Sequence, residues 1–239
     1  RVLKPLEKME FLRHAILHGA GQTEALLAQD TPLIWCNPIS PLQYHPDQVR
    51  EIMQGLRECG PSCYVMFSPE VMLGGTGPVT MAGALAQHNA EVMAGVIFTQ
   101  LLAPGTRAIY GSVSGVMDLR MADISLGSLE SMVMNSAIVP LSDRYALPSR
   151  IQIGNSSARR PGVRSAVETA LGLQMGFAAG ANLVNTGLLD STLMLSLEHL
   201  VLVDELVSQV RGAARAAAVD AEHLAMDVIV QEGRPDTNY

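Results

Sequence analysis

Five stretches of this 239-residue chain repeat one pattern: a short apolar strand, a turn rich in Gly, Pro, Ser and Asn, then a long apolar helix. The strands are read at Leu33–Asn37, Cys63–Ser68, Arg107–Gly111, Arg150–Gly154 and Ala181–Asn185. Their spacing, about 30 to 45 residues, is that of βα units. Parallel neighbours need a crossover connection, so a series of such units predicts a parallel sheet in an α/β fold. Sheets of this kind bind ligands at the carboxyl ends of their strands. The residues to interrogate are therefore those that follow each strand. They are Asn37 and Ser40, Ser68 and Glu70, Ser112 and Asp118, then Asn155 with Ser156 and Ser157, and Asn185 with Asp190 and Ser191.

Between the strands, helices are predicted over Pro5–Ala28, Asp47–Cys59, Val79–Leu102, Ser128–Tyr145, Val163–Ala179, Thr192–Val210 and Asp220–Glu232. Asp220 reads as an N-cap and Gly233 as the residue just past the last helix. Two stretches read as loops: Glu70–Pro78, with Gly74, Gly75 and Gly77, and the run from Ser112 to Gly127. The second is long for a connection inside an α/β unit, and long loops tend to be functional. One domain spans the chain in this reading. Eight βα units would close a barrel and five are present, so three are missing or the sheet is open.

Composition narrows the function classes. The chain is 48% hydrophobic, which suits a sheet covered on both faces. No window is long and clean enough to span a membrane, since Ala90–Ala103 already carries Glu91 and Gln100. A net charge of −7, with 16 Lys and Arg scattered along the chain, argues against a nucleic-acid partner. Cys36, Cys59 and Cys63 cannot all pair and do not meet zinc-ligand spacing. They read as inert thiols of a reducing, cytoplasmic compartment. His14 and His18 make the one H-x3-H pair, on the first helix and far from any strand end, so no metal site is expected. The Gly74–Thr80 loop lacks the Lys-Ser/Thr that closes a phosphate loop.

Candidate chemistry sits after the strands. Glu70 follows strand two at the level where a carboxylate of a parallel sheet is functional. Asp190 holds the same position after strand five. Asp118 and Asp123 form a carboxylate pair suited to acid–base work or to holding a cation, or else a solvated loop that pairs with Arg120. Trp35, Tyr64, Phe67 and Tyr110 lie on strands and line a pocket or fill the core.

Three segments make the reading specific. Asn37-Pro-Ile-Ser-Pro-Leu42 follows strand one. Gly77-Pro-Val-Thr-Met-Ala-Gly-Ala-Leu-Ala-Gln87 runs on through His88-Asn-Ala-Glu91. Tyr110-Gly-Ser-Val-Ser-Gly-Val-Met-Asp118 follows. With Arg144-Tyr145-Ala-Leu-Pro148, Gly180-Ala-Asn-Leu183 and Ser196-Leu-Glu198, this set resembles the trimethylamine methyltransferase family over nearly the whole chain. Its non-pyrrolysine branch, with glycine betaine methyltransferases, is the nearer part, because the sequence holds no pyrrolysine.

The resemblance implies a (β/α)8 TIM-barrel enzyme, here a partial barrel of about five βα units, with the first strands and a C-terminal tail absent from a chain about half the family's length. It implies transfer of a methyl group from a quaternary or tertiary methylamine to the cobalt of a corrinoid carried by a partner protein, with no cofactor bound directly. Reduced cobalt is itself a nucleophile, so the enzyme need only hold the cation and align one methyl. An aromatic face and a carboxylate suffice for that. Tyr64, Phe67 and Tyr110 are the candidate aromatics, Glu70 and Asp118 the candidate catalytic carboxylates, and Asn155, Asn185 and Asp190 the remaining substrate-binding candidates. An open barrel edge predicts association with another copy of the chain. One stretch departs from the family pattern. After strand four, Ser156-Ser-Ala-Arg-Arg-Pro-Gly-Val-Arg-Ser165 lacks the two aspartates and the glutamine expected there, with Arg159 at the lysine-like position. A barrel that binds a ligand or a corrinoid protein without turnover is the rival reading, and an open nucleotide-binding sheet is a third.

Overall fold

The computed structural model describes residues 33–60, 63–214 and 220–233. The helix expected over Pro5–Ala28, with His14 and His18, lies outside them. Strands β1 (Leu33–Cys36), β2 (Tyr64–Phe67), β4 (Arg107–Gly111), β7 (Ser149–Gln152) and β8 (Leu183–Asn185) form one parallel sheet, in that spatial order. Each expected strand is present, Arg107–Gly111 with the expected bounds and the other four trimmed or shifted by one or two residues.

Strand order follows chain order, so right-handed crossovers bring the connecting helices to one face. The packing agrees. Ile52 and Leu56 of α1 (Pro46–Cys59), Val92 and Val96 of α2 (Met81–Leu102), and Met132, Ile138 and Val139 of α3 (Leu129–Arg144) share one core. Met175 of α4 (Val163–Ala178) packs against it. The strands contribute Cys36, Val65, Phe67, Ala108, Tyr110 and Ile151. A doubly wound nucleotide-binding sheet would reverse its strand order and carry helices on both faces. This sheet does neither.

Local chemistry fixes the helix ends. His45 accepts from the Asp47 N–H, Pro46 occupies the first turn, and Gly60 ends α1 at φ +59°. Ser128 accepts from the Ser131 N–H to start α3. Small residues in α2 permit close approach to the sheet: a Cβ on Gly95 would lie 2.4 Å from two Phe67 ring carbons. The expected helix over Thr192–Val210 begins later, as α5 (Leu197–Ala214), after a 3-10 turn at Asp190–Thr192. The last expected helix is two, α6 (Ala221–Leu224) and α7 (Met226–Glu232), because Ala225 takes a left-handed conformation between them.

The two stretches read as loops contain a second sheet. Strand β3 (Met72–Leu73) pairs parallel with β5 (Gly115–Asp118), which pairs antiparallel with β6 (Asp123–Ser125). The hairpin turn over Leu119–Ala122 has no Gly or Asn, and Ala122 itself adopts φ +52°. The usual hairpin signature is thus missing from the sequence. Among the described residues no helix is long and apolar enough to cross a membrane.

Candidate functional site

In a strand, successive side chains point to opposite faces. The helix-side core takes Cys36, Val65, Phe67, Ala108, Tyr110 and Ile151, so their neighbours in the chain face the other way. There the sheet presents Trp35, Met66, Ile109, Arg150, Gln152 and Asn185, matched by register: Trp35 opposite Met66, Met66 opposite Ile109, and Gln152 opposite Asn185. At the carboxyl ends of these strands lies a pocket of about 280 Å³. Trp35, Asn37, Glu70, Arg150, Gln152 and Asn185 line it, with apolar walls from Val113, Ile124, Leu126 and Leu188. This is the small end of the range for ligand pockets.

Arg150 is the most constrained of the liners. It is 1% exposed. Its guanidinium lies 4.8 Å over the Trp35 ring, and Nη1 donates to the Ser112 carbonyl at 2.8 Å. It forms no ion pair with any carboxylate among the described residues. Burial pushes its pKa down, to about 9, which leaves it a cation at pH 7. Trp35 is steadied in turn by Nε1 donating to Asn37 Oδ1, and Gln48 Nε2 donates to the Asn37 carbonyl.

Glu70 supplies the opposite charge. Partial burial, and secondarily the carboxylate of Asp123, raise its pKa above the ordinary glutamate value. Ser114 fixes the backbone on either side of it: Oγ donates to the Pro69 carbonyl at 3.1 Å and accepts from the Val71 N–H at 3.0 Å. Since the Ser114 proton is committed to Pro69, His88 Nδ1, 3.0 Å away, must be the donor to Ser114 Oγ. His88 is fully buried and its pKa is depressed to about 3 by that burial, so it serves as a neutral prop.

The other expected residues fall elsewhere. Phe67 and Tyr110 face the helices, not the pocket. Phe67 packs edge-on to Tyr44, while Tyr110 stacks on Tyr145 and donates to Asn89 Oδ1 at 2.9 Å. Tyr64 lies at the opposite end of its strand, under Arg107, which donates to its hydroxyl at 3.1 Å. The three aromatics expected around the ligand are thus core or far-end residues, and Trp35 is the pocket aromatic. Asp118 ends β5 at the edge of the hairpin turn, accepting from the Arg120 N–H and paired in register with Asp123. Asn155 is buried and joins two strand ends: Oδ1 accepts from the Leu188 N–H at 2.9 Å and Nδ2 donates to the Asn185 carbonyl at 3.3 Å. Asp190 meets Arg159 at 3.2 Å, and Glu168 accepts from Ser156 Oγ and the Ser157 N–H while pairing with Arg164. The divergent Ser156–Ser165 stretch therefore has its own partners. Sequence reasoning missed Arg150 and Gln152 as liners. The signal was there, in two polar residues alternating with Ile151 and Ile153 on a buried strand. Among the described residues no cluster of His, Cys, Asp or Glu suits a metal ion.

A pocket with one cation and one carboxylate, at the strand ends of a sheet wound on one face, defines a small-molecule site of the α/β class. Comparison with known proteins carries this further. The family model for trimethylamine methyltransferase (MTTB) matches residues 8–239, and the chain belongs to that family. It is 31% identical over 217 residues to trimethylamine methyltransferase MttB of Methanosarcina thermophila, covering 90% of this chain and 44% of that protein. It is 32% identical over 199 residues to glycine betaine methyltransferase of Desulfitobacterium hafniense strain Y51, covering 82% of this chain and 41% of that protein. The MttB of D. hafniense strain DSM 10664 is 30% identical over 208 residues, covering 86% and 41%. The chain thus spans less than half the length of the relatives it matches.

Proposed function

We propose that this chain carries the amine site of a methyltransferase that takes a methyl group from a quaternary or tertiary methylamine, such as glycine betaine, and passes it to the cobalt of a corrinoid held by a partner protein. The fold in this reading is part of a (β/α)8 barrel, supported by the parallel sheet, the sequential strand order and the helices on a single face. The observation that carries the reading is the pocket itself, in a member of this family: Trp35 and Glu70 at the strand ends provide an aromatic surface and a carboxylate for a methylated ammonium. The C–N bond breaks with its electron pair left on nitrogen. A quaternary ammonium releases a neutral tertiary amine, so the site needs no proton donor for that step, and a tertiary methylamine reacts in the same way as its protonated ammonium. The chain's task is to bind, orient and exclude water. The corrinoid supplies the nucleophile and enters with its own protein.

The test is methyl transfer to reduced cob(I)alamin from glycine betaine, carnitine, proline betaine or trimethylamine, followed by the cobalt absorption spectrum. Methylcobalamin formed from one of these supports the reading. Amine binding without transfer supports instead the rival, a barrel that binds without turnover.

Two substitutions separate the carboxylates. Glu70 is proposed as the anion that faces the ammonium, so Glu70→Gln should weaken amine affinity about tenfold, as expected for loss of a charge-assisted contact. The raised pKa gives this a pH signature. The protonated form of Glu70 is favoured above the ordinary glutamate value, so affinity rises with pH through a window above that value, and Glu70→Gln flattens the profile. Asp118 lies outside the pocket lining, and Asp118→Ala should leave methyl transfer within about twofold. A large loss there returns Asp118 to the catalytic set.

A further inference from the structure

We propose that the floor of the pocket holds a small inorganic anion of the halide class, chloride foremost, between the Arg150 guanidinium and the Ser68 hydroxyl. The site belongs to the resting fold. It fills with no amine bound and does not depend on the methyltransferase reading.

Arginine has five N–H donors and no acceptor. Arg150 is 1% exposed, donates from Nη1 to the Ser112 carbonyl, and has no carboxylate within ion-pair distance among the described residues. Glu70, the other charged liner of the pocket, does not serve as its counter-charge. The shift of the Glu70 carboxyl comes from burial and from Asp123, and that of Arg150 from burial. A buried charge without a counter-charge is costly, and the cost falls on the folded chain before any substrate arrives. The Trp35 ring, 4.8 Å from the guanidinium carbon, offsets part of it.

A second buried group beside Arg150 is short of a partner. Phe67 faces the helices, so Ser68, next in the chain, faces the pocket side. Ser68 is 0% exposed, and its hydroxyl makes no hydrogen bond among the described residues. One step past the Phe67–Tyr110 pair it stands opposite Gly111, which pairs in turn with Arg150. The hydroxyl leans over Gly111, where a Cβ would collide with it. Ser68 and Arg150 thus flank a residue without a side chain, on one face of three adjacent strands. Both can donate, and a single charged acceptor satisfies both with the stronger, charge-assisted kind of hydrogen bond. A monatomic ion suits the place, because it needs no orientation and the two groups lie too deep to admit a hydration shell with it. The more weakly hydrated halides should therefore bind more tightly than chloride.

Halide titration of the full chain, without amine or cobalt and at constant ionic strength balanced by gluconate, tests this. Iodide and bromide quench tryptophan, and Trp35 is the single tryptophan of the sequence. Quenching is expected to saturate, to leave the emission lifetime unchanged, and to be relieved by chloride. A chain of net charge −7 does not gather halides by its overall field, so saturation reports a built site. Raising chloride from about 1 to about 100 mM should raise the melting temperature by about 2–4 °C. Ser68→Ala should weaken halide binding at least fivefold. Without halide it should melt no lower than the parent, since it removes a buried hydroxyl that has no partner. Arg150→Met should abolish saturable quenching and, without halide, also melt no lower than the parent. Quenching linear in iodide with a shortened lifetime, a melting temperature indifferent to chloride, or undiminished binding in Arg150→Met each overturns the inference. So does acetate acting as well as chloride, which would mark a carboxylate contact instead. If Arg150→Met fails to fold, the parent and Ser68→Ala titrations decide.

Discussion

Phe67→Ala is expected to lower the unfolding free energy by about 3–5 kcal/mol, the range for removing a fully buried phenylalanine. Phe67 is 0% exposed. Its ring fills the space left by Gly95, where a Cβ would come within 2.4 Å, and its edge meets Tyr44 with ring centroids 6.2 Å apart. Truncation opens a cavity between sheet and helix that neither the strand nor α2 can close without breaking its own hydrogen bonds. Net stabilities of folded proteins are about 5–15 kcal/mol, so the loss is a large share of the total. In urea unfolding it appears as a lower midpoint at unchanged slope. For a chain of this size the melting temperature should fall by about 6–20 °C. The same variant, compared at a temperature where it remains folded, should bind the amine as the parent does. A variant of normal stability with selectively weakened amine binding would reverse the assignment and restore Phe67 to the pocket.

The second large effect is expected at Glu91. This carboxylate is 1% exposed and lies on α2, beneath the loop that follows β1. Oε2 accepts from Ser40 Oγ at 2.7 Å, and Oε1 accepts from the Leu42 N–H and from Gln87 Nε2, both at 2.9 Å. The Glu91 carbonyl also accepts the Tyr44 hydroxyl, which burial keeps protonated by raising its pKa well above the ordinary tyrosine value. Glu91→Ala leaves Ser40 Oγ and the Leu42 N–H without an acceptor and costs Gln87 Nε2 one of its two, the Thr76 carbonyl being the other. Hydrogen bonds to a charged group are worth about 1.5–3 kcal/mol each and are not additive, so a loss of about 3 kcal/mol or more is expected. That corresponds to a fall of about 6–12 °C in melting temperature. Glu91→Gln turns an NH2 against one of the same donors and should recover little of it. The effect reaches the pocket, because the loop continues from Asn37, whose side chain accepts from Trp35. Hydrogen exchange at the Leu42 amide should accelerate, and amine affinity should fall together with stability. A Glu91→Ala variant that melts with the parent would show that the loop is held by other contacts.

These two residues mark how much could be read beforehand. Glu91 was visible as a charge inside an apolar helix, within a segment that resembles the family, but its role as the acceptor of a distant loop was not. Phe67 was visible as a strand aromatic next to a strand end. Its direction was not, because Met66 and Phe67 are both apolar and either parity of the strand could face the helices. The five strands stood out because their apolar runs end in Pro, Gly and Asn. Strand β3 did not, since two residues carry no period. The β5–β6 hairpin did not, since Ala122 takes the positive φ that Gly or Asn would have advertised. Trp35, Arg150 and Gln152 come together across strands far apart in the chain, so no local pattern joins them.

The order and type of the main elements, and membership of a methyltransferase family, follow from the sequence, because βα periodicity and turn residues act over a few positions and motifs are read directly. The facing of the strands was decided only by the tertiary structure. Gly95 of α2 brings that helix down onto Phe67, in the core that Tyr110 shares, which commits the alternate residues to the other side. That commitment turns Arg150 and Trp35 into the pocket and takes Tyr64, Phe67 and Tyr110 out of it. A side-chain period of two gives every strand two possible faces, and the choice between them is a property of packing.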